Sequence, residues 1–534
     1  MRQLFSRATE NPGCLHQHFA CILFSAANAP NTRPDFLLNA SWPGAMSGQR
    51  TGLLFGNSMS NRLHDTLSDQ SSYVLPVAKI TEILAQNDTR PNVKEGGGVR
   101  RYPRKPGVIP LSFEAASLMI SSRALKRSSG MRYRAPGEID SMHVQFVIGN
   151  LSDYHIPRYR ALVQLALRQG CKVSLVELFE YSSFYDYPQS NRTTFLQDVP
   201  SDMVTVFKGT AAGTKHWLTV AARLRVIVGA TRPDFVITLG YNTSYSIYLC
   251  LLRTLTRRFK LVYMSDSKAD DGKRHRLKEA LKRILVSRFD GALVAGEKHR
   301  RYAESLGIPL HRSHIGFDVI DVAYFRDAAK AVRAHADSAR HRFALPSRYV
   351  LCVSRFVERK NVPLVLEAFA CSELAQQGVS LVLVGQGPLE QTIREKIAAL
   401  GLSERVLIFS AILNCDMPAL YALADFIVLA SAFDQWGLCV NEAMAAGRPA
   451  IVSRTCGCAN EVVHDGINGF IVRPGDRDQL AMRMKQLAED HALREDLARN
   501  AESTIRDWTP ELFAQNVLAL TNVILKRNDA YAGG

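Results

Sequence analysis

In the stretch SAFDQWGLCVNEAMAAGRP, residues 431–449, an aspartate and a glutamate stand eight positions apart on either side of a Trp-Gly step. The apolar FIVLA before it (426–430) predicts a strand, SAFDQW a loop and LCVNEAMAA a helix. The helix must end at Gly447 to Pro449, because glycine adopts the left-handed conformation that closes a helix and proline lacks the donor to continue one. A further strand is expected at AIVS from 450. The helix therefore opens near Gly437, and the amides of Gly437, Leu438 and Cys439, unpaired at the positive end of the helix dipole, suit a phosphate or diphosphate. Asp434 then lies before the anion site and Glu442 beyond it. Two carboxylates bracketing a diphosphate suit a sugar nucleotide, with sugar hydroxyls at one end and ribose hydroxyls at the other. The same pair also fits two surface charges on an ordinary strand, loop and helix.

Other stretches carry matching chemistry. SRFVERKN, 354–361, places Arg355 after a strand and Lys360 at the start of the next helix. An arginine grips phosphate oxygens with two prongs and a lysine adds a point charge, so together they would stabilise a departing diphosphate. VGQGP, 384–388, offers Gly385 and Gly387 for close backbone approach to a ligand, without the GxGxxG pattern of a dinucleotide fold. TCGCANE, 455–461, reads as a flexible turn and a helix start on the same side. GNLSDYHIPRYRAL puts Asp153, His155 and Arg158 in the loop after an early strand, where His155 would bind hydroxyls or assist proton transfer, or would simply be a solvated loop histidine. MSDSKADDGKRHR supplies Asp266, Asp270 and Asp271 at another strand end, for substrate or for capping a helix.

These residues need elements to hold them. A chain of 534 residues with 47% hydrophobic content predicts two or three globular domains. No run reaches the ~20 apolar residues of a membrane helix. The net charge of +16 reads either as solvated basic faces or as attraction to anionic lipid headgroups and nucleotide-linked substrates. Nucleic acid is not expected as a partner, since no zinc-finger spacing, RNP-like motif or helix-turn-helix signal occurs. The ten cysteines are scattered, several within apolar strands, and Cys456 and Cys458 lack metal-ligand spacing, so free thiols in a reducing, cytoplasmic compartment and no metal are expected. The N-terminal FACILFSAANA is broken up by Glu10, His16 and His18 nearby and makes a poor signal peptide.

Residues 1–141 have no sustained periodicity and several breaker-rich patches, which predicts a largely disordered basic extension, with Met142 as an alternative start. From 143 strand and helix alternate: HVQFVIGN, a helix at PRYRALVQLALRQG, KVSLVELF, a loop, a helix at KHWLTVAARLRVIVGA, DFVITLG, then KLVYMSD, GALVAG and HIGF with helices between. A second series runs from RYVLCVSRF through VSLVLVG and RVLIFSA to the opening stretch. The expected fold class is therefore α/β, two doubly wound Rossmann-like domains with a cleft between the carboxyl ends of their strands.

In chain order, GFDVIDVAYF, SRFVERKN, VGQGP, DQWGLCVNEAMAAGRPAIVS and CGCANEVVHDGINGFIVRPGD together resemble glycosyltransferase family 4, retaining enzymes of the GT-B fold. The resemblance runs from about 142 to 530 and implies a first, acceptor-binding domain at 142–320, a second, donor-binding domain at 321–507 and a last helix at 508–534 that crosses back. It implies that Glu442 holds the ribose, Asp434 the donor sugar, and Arg355, Lys360 and the amides near Gly437 to Cys439 the diphosphate. A hexose would pass from a UDP- or GDP-sugar to a glycan or lipid-linked acceptor of a cell-surface polysaccharide, with no further cofactor; the basic charge, apart from the resemblance, allows peripheral contact with the anionic inner face of the plasma membrane. Two residues depart from the pattern. Asp434 replaces the first signature glutamate, and no histidine stands at MSDS, leaving His155 or Asp266 to take over its part. A nucleotide-binding scaffold without turnover and a nucleotide-sugar epimerase or hydrolase are the alternatives.

Overall fold

The computed structural model describes residues 142–181, 202–272, 274–410 and 412–532, with side chains as far as Leu525. The expectations for residues 1–141, including the alternative start, lie outside the described residues.

The first sheet is built from β1 (His143–Ile148), β2 (Lys172–Tyr181), β3 (Asp202–Ala211), β4 (Phe235–Leu239), β5 (Lys260–Ser265), β6 (Gly291–Val294) and β7 (Ser313–Ile315). Its helices are α1 (His155–Arg168), α2 (Trp217–Thr231), α3 (Ser244–Thr256), α4 (Arg276–Val286) and α5 (Glu297–Ser305). The strands lie in the order β3-β2-β1-β4-β5-β6-β7, all parallel. Most of these strands are apolar along much of their length because a parallel sheet is covered on both faces. Val144, Phe146 and Ile148 point to one face, which also receives α1, whereas Val147 points to the other, which receives α2, α3 and α5.

Two helices, α6 (Val322–Ala334) and α7 (Ala336–Phe343), lead to the second sheet. Its elements are β8 (Tyr349–Val353), α8 (Val362–Cys371), β9 (Ser380–Val384), α9 (Glu390–Ala399), β10 (Val406–Phe409), α10 (Met417–Leu423), β11 (Phe426–Leu429), α11 (Leu438–Ala445), β12 (Ala450–Ser453) and β13 (Gly469–Val472). The order β10-β9-β8-β11-β12-β13 is again wholly parallel. Helices α12 (Arg477–Glu489) and α13 (His491–Ile505) follow, and α14 (Pro510–Ala532) returns to the first sheet, where Phe513, Val517 and Leu520 join the cluster around α1. A Cβ on Gly291 in β6 would lie 2.9 Å from the Ile524 side chain, so the glycine permits this close approach.

The doubly wound architecture is as the alternation predicts. Two local expectations are corrected. The segment read as loop between β2 and α2 contains β3, an edge strand whose mixed polar and apolar residues leave it half-exposed and without a clean alternation. TCGCANE starts no helix. Residues 455–463 form turns and isolated bridges, held by Asp434–Cys456 and Ala459–Val463 pairings, because Gly457 must pass against the Gln435 carbonyl.

Candidate functional site

The loops at the carboxyl ends of β1, β5, β8, β9 and β11 carry the residues singled out in the sequence. Gly437 has φ +111 and starts α11, as expected, and a Cβ there would meet the Leu429 side chain at 2.6 Å. The amides of Leu438 and Cys439 thus begin a helix without intrahelical acceptors. Trp436 donates its indole N–H to Asn441 Oδ1 at 3.0 Å, and Asn441 Nδ2 donates to the Asp318 carbonyl at 3.2 Å, which fixes the helix start against the link between the sheets.

Asp434 is buried and strongly engaged. Its Oδ2 takes an ion pair from Lys360 and a hydrogen bond from Ser431 Oγ at 3.3 Å, while Arg359 Nη1 stands 3.7 Å from Oδ1. Burial disfavours the Lys360 charge, yet the adjacent Asp434 outweighs this and holds the ammonium above its usual pKa. Lys360 lies in the short turn Glu358–Lys360 that precedes α8. Arg355 is in the same loop. Arg359 joins the Lys360–Asp434 pair, and sequence reading passed over it although it is next to Lys360 in the same motif.

Glu442, more than one turn into α11, is also buried. Tyr421 from α10 donates its hydroxyl to Oε2 at 2.6 Å, and Oε1 makes no hydrogen bond among the described residues. Burial raises its pKa to about 7, against the opposing pull of the Tyr421 and Tyr154 hydroxyls. A buried carboxylate oxygen with no donor is costly unless a ligand supplies one.

Gly385 and Gly387 have φ +151 and +157, and a Cβ on them would fall 1.9 Å from the Ser354 carbonyl oxygen and 2.5 Å from that of Phe356. What comes close to these glycines is therefore the backbone of the loop bearing Arg355, with the Phe356 amide donating to the Gln386 carbonyl at 2.9 Å.

From the first sheet, His155 is the first residue of α1 and not a loop residue. The Ser152 amide donates to its Nδ1 at 3.2 Å, which puts the ring proton on Nε2. Burial and the neighbouring Arg158 lower its pKa to about 3, so it is a neutral ring and a weak base. Arg158, also in α1, donates from Nε and Nη2 to the Val319 carbonyl and pairs with Asp318 at 3.5 Å. Asp266 reaches the second domain, accepting a hydrogen bond from Gln435 Nε2 at 3.2 Å, and burial together with the charges of Asp271 and Asp434 raises its pKa to about 6. Asp270 and Asp271 instead hold the buried Lys268 at 2.9 and 3.0 Å. Asp318, missed in the sequence, is raised to about 7 by burial and by Asp266, with Arg158 opposing. His299, also missed, is buried against Trp436, and its Nε2 lies 2.8 Å from the Gln435 carbonyl. No spacing in the sequence connects Asp266, His299 and Asp318 with residues 434–442; only the packing of the two sheets does.

Residues 335–504 match the family model of the glycosyl transferases group 1. The architecture is the GT-B fold. The structure of a glycosyltransferase from Rickettsia africae superposes with a TM-score of 0.57 at 17% identity, covering 72% of this chain and 99% of the other. Anabaena HepE in complex with UDP-glucose superposes with a TM-score of 0.53 at 18% identity, covering 73% and 100%. The alpha-D-kanosaminyltransferase of Streptomyces kanamyceticus is 31% identical over 211 residues, 39% of this chain and 52% of its own length. The chain thus spans about half the length of the curated relatives it matches. The matched family segment contains Arg355, Lys360, Asp434 and Glu442, so the site lies in the part of the chain with the firmest relationship.

Proposed function

We propose that this chain is a retaining glycosyltransferase that moves a hexose from a nucleoside-diphosphate sugar to a glycan or lipid-linked acceptor. The observation that carries this reading is the placing of two buried carboxylates, Asp434 and Glu442, on either side of the open helix start at Gly437. Glu442 Oε1, which lacks a donor, suits a ribose hydroxyl. The amides of Leu438 and Cys439 suit the diphosphate, with Lys360, Arg359 and Arg355 as counter-charges. That HepE was crystallised with UDP-glucose supports a nucleotide-sugar donor.

On this reading Asp434 has two partners in turn. Without donor it neutralises Lys360. An incoming diphosphate competes for Lys360 and Arg359, and Asp434 becomes available to accept hydroxyl groups of the donor sugar. As the bond from the anomeric carbon to the diphosphate oxygen breaks, the cations stabilise the leaving charge. The acceptor oxygen attacks from the same face and forms the new glycosidic bond, and its proton passes to a departing phosphate oxygen. His155, neutral and of low basicity, is assigned a hydrogen-bonding part from Nε2 and not that of a base. No metal or other cofactor is assigned to the site.

The test is a thermal-shift panel with UDP, GDP, ADP and their hexose derivatives, with and without magnesium. A rise of several degrees with one nucleotide family, unchanged by magnesium, supports the donor site, because a ligand of the folded state stabilises it by mass action. Transfer to an acceptor, followed by the anomeric configuration of the product, then tests retention. Nucleotide binding with no turnover for any acceptor would favour the scaffold reading.

A further inference from the structure

Helix α4 is strongly amphipathic, RLKEALKRILV, and part of its apolar stripe is left in solvent. Leu277, Leu281, Ile284 and Leu285, at i, i+4, i+7 and i+8, form one apolar stripe. Its outer half faces solvent, with Leu277 75% exposed and Ile284 46%, whereas Leu281 is half-buried, Leu285 packs against the core beside α3 and α5, and Val286 is buried. The stripe turned to the protein is Glu279, Lys282 and Val286. Glu279 accepts from the Tyr302 hydroxyl of α5 at 2.8 Å and from Lys282 at 2.8 Å, and Arg274 lies over the Tyr302 ring at 4.5 Å. The helix is thus anchored by Glu279 and Lys282 together with Leu285 and Val286, and it offers Leu277 and Ile284 to solvent.

Helix α3 continues the surface. Cys250 Sγ is 3.9 Å from the Leu285 carbonyl, and Arg253 pairs with Asp290 just beyond α4, so the two helices are neighbours. Leu251 and Leu255, one turn apart on α3, are 55% and 75% exposed. Cations surround these side chains. Arg276, Lys278, Arg283 and Arg288 lie on or beside α4 and Arg257 and Arg258 at the end of α3, all exposed. Of the acids in this region, Glu279 and Asp290 are turned inward into ion pairs.

We propose that α4 and the end of α3 form a docking surface for an anionic lipid bilayer, with Leu251, Leu255, Leu277 and Ile284 inserted at the headgroup boundary and the arginines and lysines on lipid phosphates. Apolar side chains flanked by cations are what an interfacial helix requires, and six exposed cations against one exposed acid, Glu304, match a negative leaflet. Among the described residues no helix is long and apolar enough to cross a membrane, so attachment through this surface is peripheral. The loop that bears Asp266 into the cleft leads directly into α4, which brings the cleft near the bilayer and suits a lipid-linked acceptor. The surface itself stands on packing and charge, whatever sugar is transferred.

The test is co-sedimentation of the full chain with vesicles of phosphatidylcholine alone and of an equal mixture with phosphatidylglycerol, at low and high salt. The expected result is binding to the mixed vesicles, weakened by salt, and a loss of about tenfold or more in the Leu277→Glu/Ile284→Glu variant with its melting curve unchanged. Leu413→Glu, an exposed apolar position in the second domain, should bind as the wild type does. Failure of the wild type to bind phosphatidylglycerol vesicles, or equal binding by the double variant, would overturn the proposal. So would a wild-type dimer that the double variant dissociates, since a second copy would then cover the stripe.

Discussion

The Tyr421 hydroxyl lies 2.6 Å from Glu442 Oε2, inside a helix pair sealed from solvent, while the other oxygen of the same carboxylate is left without a donor. Burial keeps this carboxyl protonated up to about pH 7, whereas an unfolded glutamate releases its proton near 4.5. Its contribution to stability is therefore fully present below pH 4.5 and is lost as the pH rises through 7. Donor binding has the opposite pH dependence, because a ribose hydroxyl donates best to the ionised form. Nucleoside diphosphate affinity should fall about tenfold per unit as the pH drops below 7, and Glu442→Gln should bind weakly with no such slope. Tyr421→Phe removes a donor that favours the charged form and should move the midpoint to higher pH. Calorimetric titration across the pH range checks all three.

Asp434 has a structural duty beside its proposed catalytic one. Asp434→Ala leaves Lys360 and Arg359 without their shared counter-charge in a mostly buried loop, which should cost about 2–3 kcal/mol in chemical denaturation. The double variant Asp434→Ala/Lys360→Met should be more stable than Asp434→Ala, since it removes the stranded charge as well. Transfer should fall about 100-fold or more in Asp434→Ala, while nucleoside diphosphate binding stays within a few fold, because the released Lys360 is then free for phosphate.

How much of this was legible in the sequence depends on distance along the chain. Asp434, Gly437 and Glu442 lie on one strand, loop and helix, so their spacing alone places two carboxylates around a helix start. The parallel sheets follow from apolar runs alternating with amphipathic ones. Arg359 was within reach of the same reasoning and was passed over because Arg355 has the more usual position at a strand end. Tyr421, Asp318 and His299 could not be read in this way. Each reaches the site from a separate element, and a tyrosine in an apolar helix or a histidine in a basic one carries no sign of its partner. The orientation of α4 was equally hidden, since an amphipathic pattern fixes which residues share a face and not which face turns inward.

Gly457 tests how tightly the Asp434 loop is held. A Cβ there would lie 1.9 Å from the Gln435 carbonyl oxygen and 2.9 Å from the Trp436 Cα, both backbone atoms that have no rotamer in which to withdraw. Gly457→Ala should lower stability by about 2–4 kcal/mol and shift the loop that carries Asp434 and starts α11. Turnover per folded molecule should fall as well, which denaturation midpoints and rates measured on the same preparation will separate.

Gly296 is the corresponding position between the domains, with a side chain instead of backbone as the obstacle. Its Cβ would fall 2.6 Å from the Glu461 carboxyl carbon, while Glu461 Oε1 accepts the Lys298 amide at 3.2 Å and Lys298 Nζ donates to the Ala459 carbonyl at 2.8 Å. A flexible carboxylate can move aside, so Gly296→Ala should fold with a loss of about 1 kcal/mol or less. Moving it aside breaks the contact that draws α5 onto the 455–461 turn, next to where His299 meets Gln435. Nucleoside diphosphate binding should remain within a few fold, because Lys360, Arg359 and Glu442 all come from the second domain. Transfer, which on the proposed reading needs the acceptor side brought against the donor, should fall by about tenfold. Gly296→Ala/Glu461→Ala relieves the clash without restoring the Lys298 contact, so only partial recovery is expected. Full recovery would mean that the clash alone, and not the loss of the interdomain contact, limits the rate.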